Sequence, residues 1–176
     1  MILSGAQVGH GYRLRQRPDG HGAVGFVTLD MCGFTFRSEG LRVDRLQVNY
    51  VRHGAPTVSN EVVTYQSGGA QQALREVSDA VSHCPRGPVS STIQGIQKVT
   101  YRIRRISGRR LLQGFIALII HLTASVNGRH VVATTVAVYQ VKRNVLSGVY
   151  TLSGNLAAQQ RVALHAAQES ASNLRS

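Results

Sequence analysis

Asn127-Gly128 separates two long, predominantly apolar stretches, residues 115–126 and 129–142. Asn-Gly is the favoured pair for a two-residue type I′ hairpin turn, because both central positions need positive φ. The turn fixes a register in which Val126 faces Arg129, Ala124 meets Val131, Leu122 meets Ala133 and Ile120 meets Thr135. Leu118 and Ile116 then meet Ala137 and Tyr139. That face is nearly all apolar and must cover a core, since a one-residue slip would turn every one of these side chains outward. The opposite face mixes Ile119, Val136 and Val138 with His121, Thr123 and Thr134, so it is expected to be partly covered or to line a cleft.

The remaining segments are read around this hairpin. Leu46, Val48 and Tyr50 alternate with Gln47 and Asn49, and 61–65 reads as the next strand. Val99, Tyr101 and Ile103 alternate with Thr100, Arg102 and Arg104, a strand with one basic face, and 145–152 follows the hairpin as a further strand. Residues 10–25 read as a loop, and 26–29 either pair briefly or pack. Gly68-Gly69 opens a helix through about His83, with Ala70, Ala73, Leu74, Val77, Ala80, Val81 and Cys84 on one stripe. Pro85 ends it and a loop runs to Gln97. Ser4-Gly5-Ala6-Gln7 has capping-box form, and Asn155 caps a last helix to about Leu174. The expected fold is α+β: an antiparallel sheet of about five to six strands against two main helices, in a two-layer sandwich. Residues 1–176 form one domain, with 1–28 partly flexible.

Charge narrows the function classes without naming one. Twenty Lys and Arg stand against eight Asp and Glu, a formal net charge of +12, and only Lys98 and Lys142 are Lys. Such a field attracts anions. Basic clusters fall at Arg13/Arg15/Arg17, Arg37/Arg42/Arg45 and Arg102/Arg104/Arg105 with Arg109/Arg110. Single-strand nucleic-acid binders interleave aromatics with such cations. Only Tyr101 does so here, and on the alternate face, so nucleic acid is disfavoured, while a peripheral anionic membrane surface stays open. No stretch reaches the ~18 apolar residues of a membrane span, and the N-terminus lacks a signal-peptide pattern.

Several motifs match by letter and fail by context. Gly20-His21-Gly22-Ala23-Val24-Gly25 spells G-x-G-x-x-G, but neither flank supplies the strand and helix that a dinucleotide site needs. Leu29-Asp30-Met31-Cys32 places Leu three before Cys, yet lacks the small residues and preceding apolar run of a lipidation site. The seven His do not converge: His121 and His130 are roughly 13 Å apart along the hairpin face, so no metal site is expected. The eight acids include no close pair on a pocket edge, and Glu76 and Asp79 fall on the wet helix face. No cofactor and no enzymatic activity are expected. Cys32 and Cys84 are best read as a disulfide, with two buried free thiols as the alternative.

The run Leu29-Asp30-Met31-Cys32-Gly33-Phe34 resembles actinobacterial secreted sensor-domain proteins. So do Ser59-Asn60-Glu61-Val62-Val63-Thr64-Tyr65, the helix from Ala70 to Cys84-Pro85, and Asn144-Val145-Leu146-Ser147-Gly148-Val149-Tyr150. The chain is more distantly similar to the extracellular sensor domain of PknH-like kinases and to related lipoproteins. The resemblance implies an exported, non-enzymatic, disulfide-containing α+β domain with a ligand cleft, its export segment lying outside this chain. Expected partners are an unknown small-molecule or cell-envelope ligand and a separate signalling protein. The mixed hairpin face, with His121, Thr123 and Thr134, is the candidate ligand site, and Arg102 and Arg104 near its rim favour an anionic ligand. The alternative function is a basic surface that binds anionic polymer, lipid headgroups or nucleic acid.

Overall fold

The computed structural model describes residues 1–21, 27–91, 96, 98–126 and 129–175. Along the chain these form α1 (Gly5–Val8), β1 (Arg13–His21), a 3-10 turn (Arg37–Leu41), β2 (Arg42–Val51), β3 (Thr57–Tyr65) and α2 (Gly69–Ser82). Then come β4 (Val89–Ser90), β5 (Lys98–Arg105), β6 (Ile116–Val126), β7 (Arg129–Lys142), β8 (Val145–Leu152) and α3 (Leu156–Arg175). The strands make one sheet in the order β1-β2-β3-β8-β7-β6-β5-β4, and every neighbouring pair is antiparallel.

The hairpin register is the one the turn dictates: Val126 pairs with Arg129, Ile120 with Thr135 and Ile116 with Tyr139. Asn127-Gly128 and most of the G-x-G-x-x-G match lie outside the described residues. Alternation along β6 and β7 sends side chains to opposite faces. Leu118, Ile120, Ala137 and Tyr139 join the core beneath α2, whereas Ile119, Val136 and Val138 join the core beneath α3. The two long helices therefore cover opposite faces, and the sheet is the middle of three layers.

This corrects the expected architecture. The described residues form an eight-stranded sheet with three helices, where about five to six strands and two main helices in two layers were expected. The extra strands left little trace in the sequence. Residues 13–16 of β1 are all exposed and pair along the edge of β2, so no apolar alternation marks a segment read as a loop. β4 is two residues, paired with Val99 and Lys98 inside another segment read as a loop. The third layer did leave a signal, because Leu118-Ile119-Ile120 is an unbroken apolar run, the pattern of a strand buried on both faces. Phe26 lies outside the described residues, Val27 to Leu29 form no strand, and Leu29 packs into the core.

Local chemistry sets the helix ends. Ser4 and Gln7 close a reciprocal capping box on α1. The Asn155 side chain accepts from the Ala158 N–H at 2.8 Å at the start of α3. The stripe of α2 is buried at Ala70, Ala73, Val77 and Ala80, with Leu74, Val81 and Cys84 half-buried beside it. Among the described residues no helix is long and apolar enough to cross a membrane.

Candidate functional site

On the α2 face, β2 and β3 bury a charge pair. Arg45 Nε donates to Glu61 Oε1 at 2.5 Å, and both side chains are almost wholly enclosed. Arg45 Nη2 also donates to Gln47 Oε1 at 2.7 Å, and Gln47 Nε2 to Ser59 Oγ at 2.9 Å. The other Glu61 oxygen accepts from the Tyr150 hydroxyl at 3.1 Å. Gly148 lies directly opposite Glu61 in the β3–β8 register. A Cβ there would collide with the Tyr150 hydroxyl, so only glycine leaves the space through which Tyr150 reaches the carboxylate. Burial pushes the Glu61 carboxyl above its ordinary value, against the pull of Arg45 and of its hydrogen bonds. The Tyr65 hydroxyl is buried in the field of Glu39, Glu61 and Arg42 and has no hydrogen-bond partner among the described residues.

Next to this network is a cavity of about 200 Å³. Its floor is the sheet: Tyr101, Ile120, Leu122, Thr135, Ala137 and Tyr139, with Tyr150 carrying the wall toward Glu61. Tyr139 and Tyr150 pack edge to face with ring centroids 5.6 Å apart. Thr28, Asp30 and Met31 form the remaining wall. Burial, together with the nearby Asp30 carboxylate, pushes the Tyr101 phenol up to about 12, so it stays protonated at neutral pH and can donate a hydrogen bond.

The 28–31 segment has no regular structure and is held by two anchors. At one end Glu39 accepts from the Thr28 N–H at 2.9 Å and the Leu29 N–H at 3.2 Å, while Arg42 Nη1 donates to Thr28 Oγ1 at 3.1 Å. Burial pushes the Glu39 carboxyl up, opposed by these hydrogen bonds and by Arg42, whose Nη2 lies 3.3 Å away. At the other end Cys32 is joined to Cys84 by a disulfide, which ties the segment to the end of α2. Glu76, expected on the wet helix face, is half-buried and accepts from the Ser38 N–H at 3.0 Å and the Ser38 hydroxyl at 2.6 Å. It thereby docks the 3-10 turn onto α2.

The residues singled out from the sequence lie on the other face. His121 and Thr134 are cross-strand partners, and His121 Nδ1 is 2.9 Å from Thr134 Oγ1. Arg102 pairs with His121 and Arg104 with Ile119 in the β5–β6 register. Thr123 follows two residues along the same face. Only Thr134 is half-buried; His121, Thr123, Arg102 and Arg104 are exposed. The five thus share one open surface on the α3 side, beyond the part that α3 covers. Sequence reasoning missed the Arg45–Glu61 pair and the tyrosine cavity. A carboxylate between Asn60 and the apolar pair Val62-Val63 was the available signal for the first, since β3 is buried on both faces. The cavity had no such signal, because part of its wall is irregular chain.

No protein family and no curated protein matches this sequence. Among solved structures, the fold is similar to the extracellular domain of PknH from Mycobacterium tuberculosis, with a TM-score of 0.56 and 12% sequence identity. The likeness covers 98% of this chain and 93% of that one. At that identity it is a likeness of fold, and it agrees with the distant part of the sequence resemblance.

Proposed function

We propose that this chain is an extracytoplasmic, non-enzymatic, sensor-like domain that holds a small ligand between the sheet and the 28–31 segment. The observation that carries the reading is the cavity walled by Tyr101, Tyr139 and Tyr150 beneath a segment pinned by a disulfide. Likeness to an extracellular domain and a disulfide, a bond that persists in oxidising compartments, support a place outside the cytoplasm. At about 200 Å³ the cavity is smaller than the ~300 Å³ at which drug-sized sites begin. It suits a small molecule or one end of a longer one. Phenols and the Asp30 carboxylate favour a mainly apolar ligand carrying a hydrogen-bonding or cationic group over an anion. Binding would be reported through the 28–31 segment, which runs from the Glu39 anchor to the disulfide.

The test is a fragment screen by NMR on protein labelled at tyrosine, histidine and threonine, paired with thermal denaturation. Ligands are expected to shift the Tyr101, Tyr139 and Tyr150 ring signals and to raise the melting temperature. Leu122→Phe, which adds volume at a lining position of the cavity, should abolish both effects while the protein stays folded. Shifts that persist in that variant, or that map to His121 and Thr134, would move the ligand site to the other face.

A further inference from the structure

The charge of this molecule is divided unevenly. Residues 80–168 carry eleven Lys and Arg and no Asp or Glu, while the rest of the chain carries nine cations and all eight acids. The acid-free part contains β4 to β8 and most of α3. Within it, the pairing of β7 with β8 ends at Val136 and Thr151, but the pairing of β7 with β6 continues to Arg129 and Val126. The outer part of the β5–β6–β7 ribbon therefore extends past β8. Lys98, Arg102, Arg104 and His121 are exposed along its α3-side face, and His130 and Val132 complete it. Val132 is 71% exposed there, and its neighbour Val131 is 44% exposed on the reverse side.

We propose that this outer ribbon face, with Lys98, Arg102, Arg104 and Val132, docks the protein peripherally on an anionic lipid surface. On an extended strand, side chains two apart share a face at a spacing of about 7 Å, so the β5 cations form a row about 20 Å long. Such a row lies against a plane of headgroup phosphates, and strands β4 to β8 carry no carboxylate to compete. The exposed valine at the outer end supplies an apolar contact at the headgroup boundary. Nucleic acid fits less well, because single-strand binders stack bases on aromatics and the one aromatic of β5, Tyr101, points into the cavity on the other face.

Vesicle flotation of the whole chain tests this, with phosphatidylcholine alone and with one-third phosphatidylglycerol. Binding is expected only with the anionic lipid and should weaken as salt rises from about 50 to about 200 mM. Each cation near an anionic membrane contributes roughly fivefold to partitioning. Arg102→Glu/Arg104→Glu should therefore weaken binding by more than about tenfold, and Val132→Ser by about twofold to threefold. Arg13→Glu/Arg15→Glu, with the same change in net charge on the opposite edge of the sheet, should weaken it much less. Should the Glu pair fail to fold, Arg102→Gln/Arg104→Gln is read instead, with a loss of several-fold expected. Equal loss from both pairs would overturn the proposal in favour of net charge alone. Equal binding to neutral vesicles, or displacement by a single-stranded oligonucleotide that needs the same arginines, would overturn it too.

Discussion

The two faces of the sheet are covered by different means, and they differ in what they can do. Beneath α3, Ala163, Ala166 and Ala167 are fully buried against Ile119, Val136, Val138 and Val149. Small side chains let the helix backbone approach closely, and the polar groups enclosed there find partners on the helix. Gln140 Nε2 donates to the Ala167 carbonyl at 2.9 Å, the Ser147 and Ser170 hydroxyls lie 2.7 Å apart, and Thr151 bonds Gln159 at 3.2 Å. The α2 face holds tyrosines, a buried ion pair and a disulfide, and its helix covers only part of the sheet. Irregular chain covers much of the remainder, and the cavity forms where that chain meets the strands. A helix of alanines makes a closed packing surface, while a tethered loop over tyrosines leaves a cavity.

The largest test of this contrast removes one charge from the α2 face. Glu61→Gln removes the buried carboxylate that Arg45 hydrogen-bonds, and breaking a buried pair in this way costs about 3–5 kcal/mol. Arg45→Met/Glu61→Leu, which removes both charges, should recover most of that loss. An exposed charge of the same sheet, such as Arg104→Gln, should change stability by less than about 0.5 kcal/mol. Urea denaturation of the four proteins reads all three numbers. A cost below about 1 kcal/mol for Glu61→Gln would mean that the pair is not the anchor of its face.

Reduction of the disulfide comes next. Cys32 and Cys84 are 52 residues apart, and closing a loop of that length contributes about 4 kcal/mol in the chain-entropy account, with 2–4 kcal/mol the usual yield. The loss should be local in its first step. Hydrogen exchange should quicken at 28–31 and the end of α2 before it quickens in α3. Equal acceleration on both faces would show that the two covers are one cooperative unit.

Adding volume separates the faces further. Ala167 is fully buried in the core beneath α3, and overpacking such a position costs about 1–3 kcal/mol, the loss expected for Ala167→Leu. Leu122→Phe adds volume at a position that lines the cavity and should cost less than about 1 kcal/mol. Reversal of that order would put the loose packing beneath α3.

What the sequence disclosed and what it hid follow the same division. Regular elements announce themselves: Asn127-Gly128 set the β6–β7 register and so placed His121 opposite Thr134, and the stripe from Ala70 brought Cys84 to the end of α2 near its partner. Asn155 marked the start of α3. Contacts that arise from a strand register no turn motif fixes are silent. Arg45 and Glu61 meet only because β2 and β3 pair with Gln47 opposite Glu61. β1 is silent for another reason, since an edge strand whose side chains are exposed needs no apolar alternation. The cavity depends on where 28–31 is pinned, and an irregular segment has no period to read.

The smallest effect is a pH dependence, and it tests whether burial governs the α2 face. Burial holds the Glu39 and Glu61 carboxyls above their ordinary value. Glu76 is held below it, because its hydrogen bonds from Ser38 and Gln72 outweigh its desolvation. A carboxyl with a raised native pKa takes up its proton in the folded protein before the unfolded chain does. It therefore favours the folded state as pH falls through that window, and its contribution is lost as pH rises through the raised value. Glu76 acts in reverse: it stabilises above the ordinary carboxylate range, and that share is lost as pH falls through its lowered value. Glu39→Gln removes one raised group together with its pairing to Arg42, and leaves the Arg45–Glu61 hydrogen bond in place. Wild-type stability minus that of Glu39→Gln should thus increase as pH falls from 7 toward about 4.5, with a slope below about 1.4 kcal/mol per pH unit. Urea midpoints for both proteins at a series of pH values give the slope. A difference that shrinks on acidification would mean that Arg42 and the Thr28 and Leu29 N–H groups outweigh burial at Glu39. The Thr28 anchor would then be an ionic latch that acid opens.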